Sequence, residues 1–221
     1  YTTNFNLVIT TTTSGATIYY TTNGSPPSLT NGTVYSTPIP ISKTTVIRAA
    51  AFKTGFEPSN ADTQTYLYLD DVIYQSTNGV APPGWPVSWG TNVVNYGMDP
   101  DVVNNPLYSG TIKEDLKTIP TVSLVMKLED LFDPATGIYA NAGQSGREWE
   151  RPASVELIFP NGDEGFQVEA GTRIRGAFST SGSNPKHSFR LFFRSEYGDT
   201  KLNYPLFGDD GTSTFDGFDL A

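Results

Sequence analysis

Short runs of alternating apolar and polar residues, each soon cut off by glycine, proline or asparagine, constrain this chain more than any other feature. Side chains on a strand switch faces with period two, so such runs read as strands with one buried face. Phe5, Leu7 and Ile9 alternate in this way, as do Ala16, Ile18 and Tyr20, and then Ile39 and Ile41. Val46–Phe52 is a nearly continuous apolar run, as a strand buried on both faces would be. Turn chemistry separates the runs at Asn23-Gly24-Ser25-Pro26-Pro27 and at Asn31-Gly32, where glycine and asparagine tolerate positive φ. Five or more short strands at this spacing predict a small β-sandwich over residues 1–69. The composition agrees: 21 Gly, 16 Pro, 13 Phe and 12 Tyr in 221 residues favour strands and turns over helices.

Residues 70–118 carry dense breakers at Pro82, Pro83, Gly84, Pro86, Gly90, Gly97, Pro100 and Pro106. Trp85, Trp89, Tyr96 and Met98 are too apolar for a free linker, so a connector that drapes over both domains and docks its aromatics is expected. Alternation resumes over residues 119–221. Val122, Leu124 and Met126 form one predicted strand, and Val155, Leu157 and Phe159 another. Glu129–Phe132 predicts a short helical turn that ends at Asp133-Pro134. Asn161-Gly162 is a hairpin signal, followed by separate strands at Phe166–Val168, Thr172–Gly176 and Ser188–Arg194. The expectation is a mainly β chain: a sandwich, then a β-rich (α+β) domain built on an antiparallel meander of four or five strands.

The net charge of −9 divides into +1 over residues 1–69 and −10 over the rest. Nucleic acid is a poor partner for such a surface, because binding it needs a basic face. No apolar run is long enough for a membrane span. The chain has no cysteine, which excludes disulfides and thiolate metal sites. It begins at Tyr1 rather than Met, so processing or trimming is expected.

Several side chains are candidates for chemistry. Period two puts Arg173 and Arg175 on one face of their strand, and Arg190 and Arg194 on one face of the next. With Lys186 after the Gly/Ser-rich loop, these form either a phosphate-binding surface or ion pairs with the acidic surplus. His187 is the only histidine and reads as a hydrogen-bonded or surface residue rather than a base. Ser179, Ser181 and Ser183 have no triad partners, and P-loop spacing is absent. Acidic pairs in turn contexts, Asp209-Asp210 foremost, are candidates for one calcium ion, although no EF-hand spacing occurs. Asn23-Gly-Ser25 and Asn31-Gly-Thr33 are glycosylation sequons, and 17 threonines up to Tyr66 offer further attachment points.

Two resemblances add to this reading. GATIYYTTNGSPPS, then TPIPISKTTVIRAAAFKTGFEPSN, then TYLY resemble the chitobiase/hexosaminidase C-terminal type of Ig-like module over residues 1–69. Such modules are accessory domains of secreted proteins, and the resemblance implies that the first strand is truncated at Tyr1. From about Asp70 onwards, TVSLVMKLEDLFDPATGIYANAGQSGREWERPASVELIFPNGDEGFQVEAGTRIRG, NPKHSFRLFFRSEYGDTKLNYPLFGDDG and FDGFDL resemble the spore-coat protein H kinase family. That resemblance implies a kinase-like N-terminal lobe, with Lys186 and Arg175-Gly176 at its nucleotide phosphates and ATP and magnesium as cofactors. It also implies that the metal-binding and catalytic half lies after Ala221, so this chain by itself is not expected to turn over ATP.

Three functions follow as expectations. The favoured one is a non-catalytic extracellular or cell-surface module with a structural or assembly role, joining copies of itself or other surface proteins by strand addition into filaments. The alternatives are a fragment of a secreted atypical kinase and a carbohydrate-binding module using Tyr19, Tyr20 and Tyr35.

Overall fold

The computed structural model describes residues 1–75, 80–89, 92–93 and 95–221. Gly90, one of the predicted breakers, lies outside the described residues. The protein is mainly β and divides into two compact units, residues 1–75 with 97–119 and residues 76–96 with 120–221. The segment expected as a connector is thus shared between them.

The first unit is a sandwich of two sheets. Strands β1 (Phe5–Leu7) and β4 (Ile39–Ile41) pair antiparallel in one sheet. The other has the order β3-β2-β5-β6, with β2 at Thr17–Thr21, β3 at Thr33–Val34, β5 at Thr45–Phe52 and β6 at Asp62–Tyr66. Ile41, Ile47, Tyr66 and Tyr68 are buried between the sheets, with Phe5, Leu7, Ile9, Tyr20 and Ile39 packed against them. The apolar run of β5 is the most enclosed stretch of the unit, and it includes one charge. Arg48 is buried, and its guanidinium donates to Thr63 Oγ1 at 3.1 Å and to the Gly24 carbonyl at 3.2 Å. Thr21 Oγ1 donates to the Ser25 carbonyl at 2.5 Å, so β2 and β5 together hold the Asn23–Pro27 turn.

A small helical cluster completes this unit. It consists of α1 (Leu69–Ile73), α2 (Pro100–Val103) and α3 (Ile112–Leu116). Asp99 caps α2 by accepting from the Asp101 N–H at 2.9 Å, and Pro100 supplies a first-turn residue that needs no donor. Ile73, Val103 and Ile112 are buried together, with Met98 and Leu116 against them.

The second unit is built on an antiparallel sheet of order β15-β12-β11-β10-β9. These strands are β9 (Thr121–Val125), β10 (Arg151–Ile158), β11 (Phe166–Arg175), β12 (Ser188–Phe192) and β15 (Gly217–Leu220). Helix α4 (Leu128–Phe132) follows β9, where the short helical turn was predicted. The pairs β7 (Ser88–Trp89) with β8 (Asn92–Val93), and β13 (Leu202–Asn203) with β14 (Thr214–Phe215), lie outside the main sheet.

The Asn161-Gly162 turn joins β10 to β11 in the register Val155↔Val168 and Leu157↔Phe166. The two strands expected over 166–176 are one strand of ten residues. Gly171 in its middle is a site of close approach rather than a break. A Cβ there would lie 2.3 Å from the ring of Tyr197, which occupies the space that the glycine leaves. One face of the sheet is apolar: Ala153, Val155, Ala170 and Leu191 are fully buried, and Val168 and Ile174 nearly so. The other face carries the arginines.

Candidate functional site: an aromatic cleft in the second unit

Register brings the predicted arginines together. Arg173 lies opposite Arg190, and Arg190 opposite Asp219. Each of the guanidiniums faces carboxylate. Arg175 Nε is 3.4 Å from Asp219 Oδ2. Arg190 Nε is 3.5 Å from Asp219 Oδ1, close enough for attraction between charges but not aligned as a hydrogen bond. Glu150, whose side chain is 1% exposed, accepts from Arg194 Nε at 3.2 Å and Nη2 at 3.1 Å, with Arg173 Nη1 at 3.9 Å. Tyr197 donates its hydroxyl to the same carboxylate at 3.4 Å. Burial and the carboxylates of Glu150 and Glu196 push the Tyr197 phenol up to about 12. The guanidiniums of Arg173, Arg194 and Arg190 lie 4.5, 4.9 and 5.6 Å from the centre of the Phe192 ring. This face is a network of paired charges, in which Arg190 Nε alone among the described guanidinium atoms is buried without a hydrogen bond.

Lys186 is not part of it. It lies beyond the start of β12 and lines a cavity on the side of Leu124 and Phe189, the face opposite to Arg190. That cavity has a volume of about 500 Å³ and is walled by Trp85, Trp89, Tyr96, Phe132, Tyr139 and Phe189, with Leu124, Met126 and Leu131 at its base. Trp89 stacks on Phe132 at 5.9 Å and meets Tyr139 edge-on at 4.8 Å. Trp85 meets Tyr96 edge-on at 5.5 Å and Phe132 at 5.4 Å. Asn95 and the exposed Lys186 supply the polar part of the rim.

Local sequence chemistry sets these rings in place. Asp133 ends α4 and accepts from the N–H groups of Ala135 and Thr136 at 2.9 and 2.8 Å, which holds its carboxyl below the ordinary range. The chain then folds back so tightly that a Cβ on Gly137 would lie 2.5 Å from the Asp133 nitrogen. The Tyr139 N–H reaches the Leu131 carbonyl at 2.8 Å, which stands the Tyr139 ring beside α4. Tyr139 receives the His187 N–H on its hydroxyl oxygen at 3.1 Å. Burial pushes its phenol up, and that N–H donor offsets part of the rise. Tyr96 donates to the Pro86 carbonyl at 2.7 Å, and its phenol is raised by burial and then by Tyr139.

A second, smaller cavity of about 240 Å³ shares Trp89 and Tyr139 as walls. Its lining is mixed, with Asn141, Gln144, Thr180 and His187 as polar members beside Ala140 and Ala142. The Trp89 indole N–H is buried with no acceptor among the described residues.

The remaining sequence candidates are dispersed. Asp209 and Asp210 lie exposed in a short 3-10 turn, and among the described residues no three His, Cys, Asp or Glu side chains gather as a metal would need. Asn23 is exposed and its Oδ1 accepts from Ser25, while the Asn31 amide donates to Ser25 Oγ and the Pro26 carbonyl. Tyr19 packs edge-on against Phe52, Tyr20 joins the sandwich core, and Tyr35 accepts from the Ile9 N–H. Ser179 donates to the Arg175 carbonyl. Among the described residues no helix is long and apolar enough to cross a membrane.

Sequence reasoning picked out Trp85, Trp89 and Tyr96 as docked aromatics but did not join them to Phe132, Tyr139 and Phe189 as a cleft. The available signal was the density of aromatics in two segments more than 30 residues apart, which no local pattern connects.

Residues 1–65 match the family described as the chitobiase/β-hexosaminidase C-terminal domain. The two-sheet sandwich of the first unit is consistent with that Ig-like module. The chain matches neither a curated protein nor a solved structure. None of these comparisons supports the expected resemblance of the rest of the chain to spore-coat protein H kinases.

Proposed function

We propose that the protein is a non-catalytic extracellular accessory module whose second unit binds carbohydrate in the aromatic cleft. The observation that carries this reading is the cavity itself. Its volume is within the range of small-ligand sites, and its walls are ring faces and edges with a few polar groups at the rim. A pyranose ring has an apolar C–H face that stacks on aromatic rings and a girdle of hydroxyls that needs polar partners. The matched domain at 1–65 takes its name from chitobiase and β-hexosaminidase, which adds support from a separate part of the chain.

Filament assembly by strand addition has less behind it, because the edge strands β3, β6, β9 and β15 run only two to five residues. The kinase alternative has only its sequence blocks behind it, because no comparison carries it. The test is a titration with soluble oligosaccharides, read by tryptophan fluorescence. Trp85 and Trp89 line the cleft, so a bound sugar quenches or shifts their emission, and Trp89→Ala weakens binding at least roughly tenfold, as loss of an aromatic anchor does. An unchanged spectrum across neutral and N-acetylated oligosaccharides at millimolar concentration would refute the proposal.

A further inference from the structure

We infer that the smaller pocket behind Trp89 and Tyr139 is a second subsite, which takes the acetamido group of a 2-acetamido sugar seated in the cleft. This rests on the cleft being the carbohydrate site. The two cavities share the Trp89 and Tyr139 walls, so a ring stacked in one can direct a substituent into the other.

His187 supplies the recognition. The residue is 4% exposed, and its Nδ1 lies against the Ser179 carbonyl oxygen. A carbonyl oxygen only accepts, so Nδ1 carries a proton, and in that tautomer Nε2 is the acceptor. Nε2 has no hydrogen-bond partner among the described residues, and the ring lines the pocket. The ring is held in place by its Nδ1 contact to Ser179 and by packing on Tyr139 at 4.6 Å, while the backbone N–H of His187 donates to the Tyr139 hydroxyl. An acetamido group presents one N–H, one carbonyl oxygen and one methyl. The N–H donates to His187 Nε2. The carbonyl can accept from the Gln144 amide or from the buried Trp89 indole N–H, which has no acceptor among the described residues. Thr180 already donates to the Ala177 carbonyl at 2.8 Å, so its hydroxyl is available only as a further acceptor. A plain hydroxyl at the same carbon is too short to reach these groups together, and leaves the acceptor and the indole donor unpaired at a cost.

The experiment compares N,N′-diacetylchitobiose with cellobiose, which share a linkage and differ in the acetamido groups. His187 is the only histidine, so its imidazole nitrogens give an unambiguous signal in 15N-labelled protein without any substitution. Diacetylchitobiose should bind about tenfold or more tightly than cellobiose and shift the Nε2 resonance. His187→Phe should erase the preference by weakening diacetylchitobiose binding about tenfold. Equal binding of the two disaccharides, or tight binding that leaves the imidazole signals unmoved, overturns the subsite while keeping the cleft. Binding of neither overturns both.

Discussion

Glu150 is the side chain whose loss should reveal what the arginine face does. Its carboxylate is almost fully enclosed, takes both prongs of the Arg194 guanidinium, stands 3.9 Å from Arg173 and receives the Tyr197 hydroxyl. Glu150→Gln keeps the volume, so it opens no cavity, but it removes the charge and points an NH2 group at donors. Breaking a buried pair by removing one partner costs about 3–5 kcal/mol. Here the side chains of Arg194 and Arg173 are 34% and 28% exposed and can regain water, which reduces the expected loss. The expectation is therefore about 2–3 kcal/mol, which for a domain of this size lowers the melting midpoint by roughly 8–15 °C. All three tryptophans, Trp85, Trp89 and Trp149, lie in the second unit, so urea denaturation followed by their fluorescence reports this unit selectively. The double-mutant cycle with Arg194→Met should show coupling of about 1 kcal/mol or more. A loss below about 0.5 kcal/mol with an additive cycle would mean that the arginines do not depend on Glu150, and the reading of this face as a closed charge network would fail.

Other outcomes follow from the same unit and its neighbour. Leu191 is fully buried among Val155, Val168, Ala170 and Phe193, so Leu191→Ala should cost about 3–4 kcal/mol in the same urea assay. The Tyr197 phenol is raised to about 12 from its ordinary value of 10, so the folded state holds this proton longer than the unfolded chain does. Its contribution is therefore complete below about pH 10 and is lost as the pH climbs towards 12. With allowance for partial exposure, the wild type should lose about 1–2 kcal/mol more than Tyr197→Phe across that window, and parallel stability curves would contradict this. In the first unit, Arg48→Met removes the donors that hold Gly24 and Thr63, and should destabilise by about 2–3 kcal/mol, measured by calorimetry. No change in the midpoint would show that the Asn23–Pro27 turn holds itself.

Several elements could be read before any coordinates. The alternation of Phe5, Leu7, Ile39 and Ile41 marks strands that bury one face, and the Asn161-Gly162 turn lies in the connection between β10 and β11. The helical turn before Asp133-Pro134 was legible for the same reason: its signals are carried by a few adjacent residues. Period two also placed Arg173 and Arg175 on a common face, because alternation is a property of the extended backbone itself.

What each face meets is a different matter. Two strands were expected over 166–176, and the single strand found there makes room at Gly171 for Tyr197, 26 residues further on, a contact that no local pattern encodes. The arginines left both a phosphate surface and ion pairs readable, and only the tertiary structure shows Asp219 beside Arg190 and Glu150 enclosed against Arg194. The cleft draws its walls from three distant stretches of chain, which carry Trp85, Trp89 and Tyr96, then Phe132 and Tyr139, then Phe189. Sequence alone determined the strands, the turns and the side of the sheet on which each residue stands, since these follow from backbone geometry and turn chemistry over a few residues. Only the tertiary structure decided which charges were cancelled and which rings came together to enclose a space, since these depend on contacts between segments tens of residues apart.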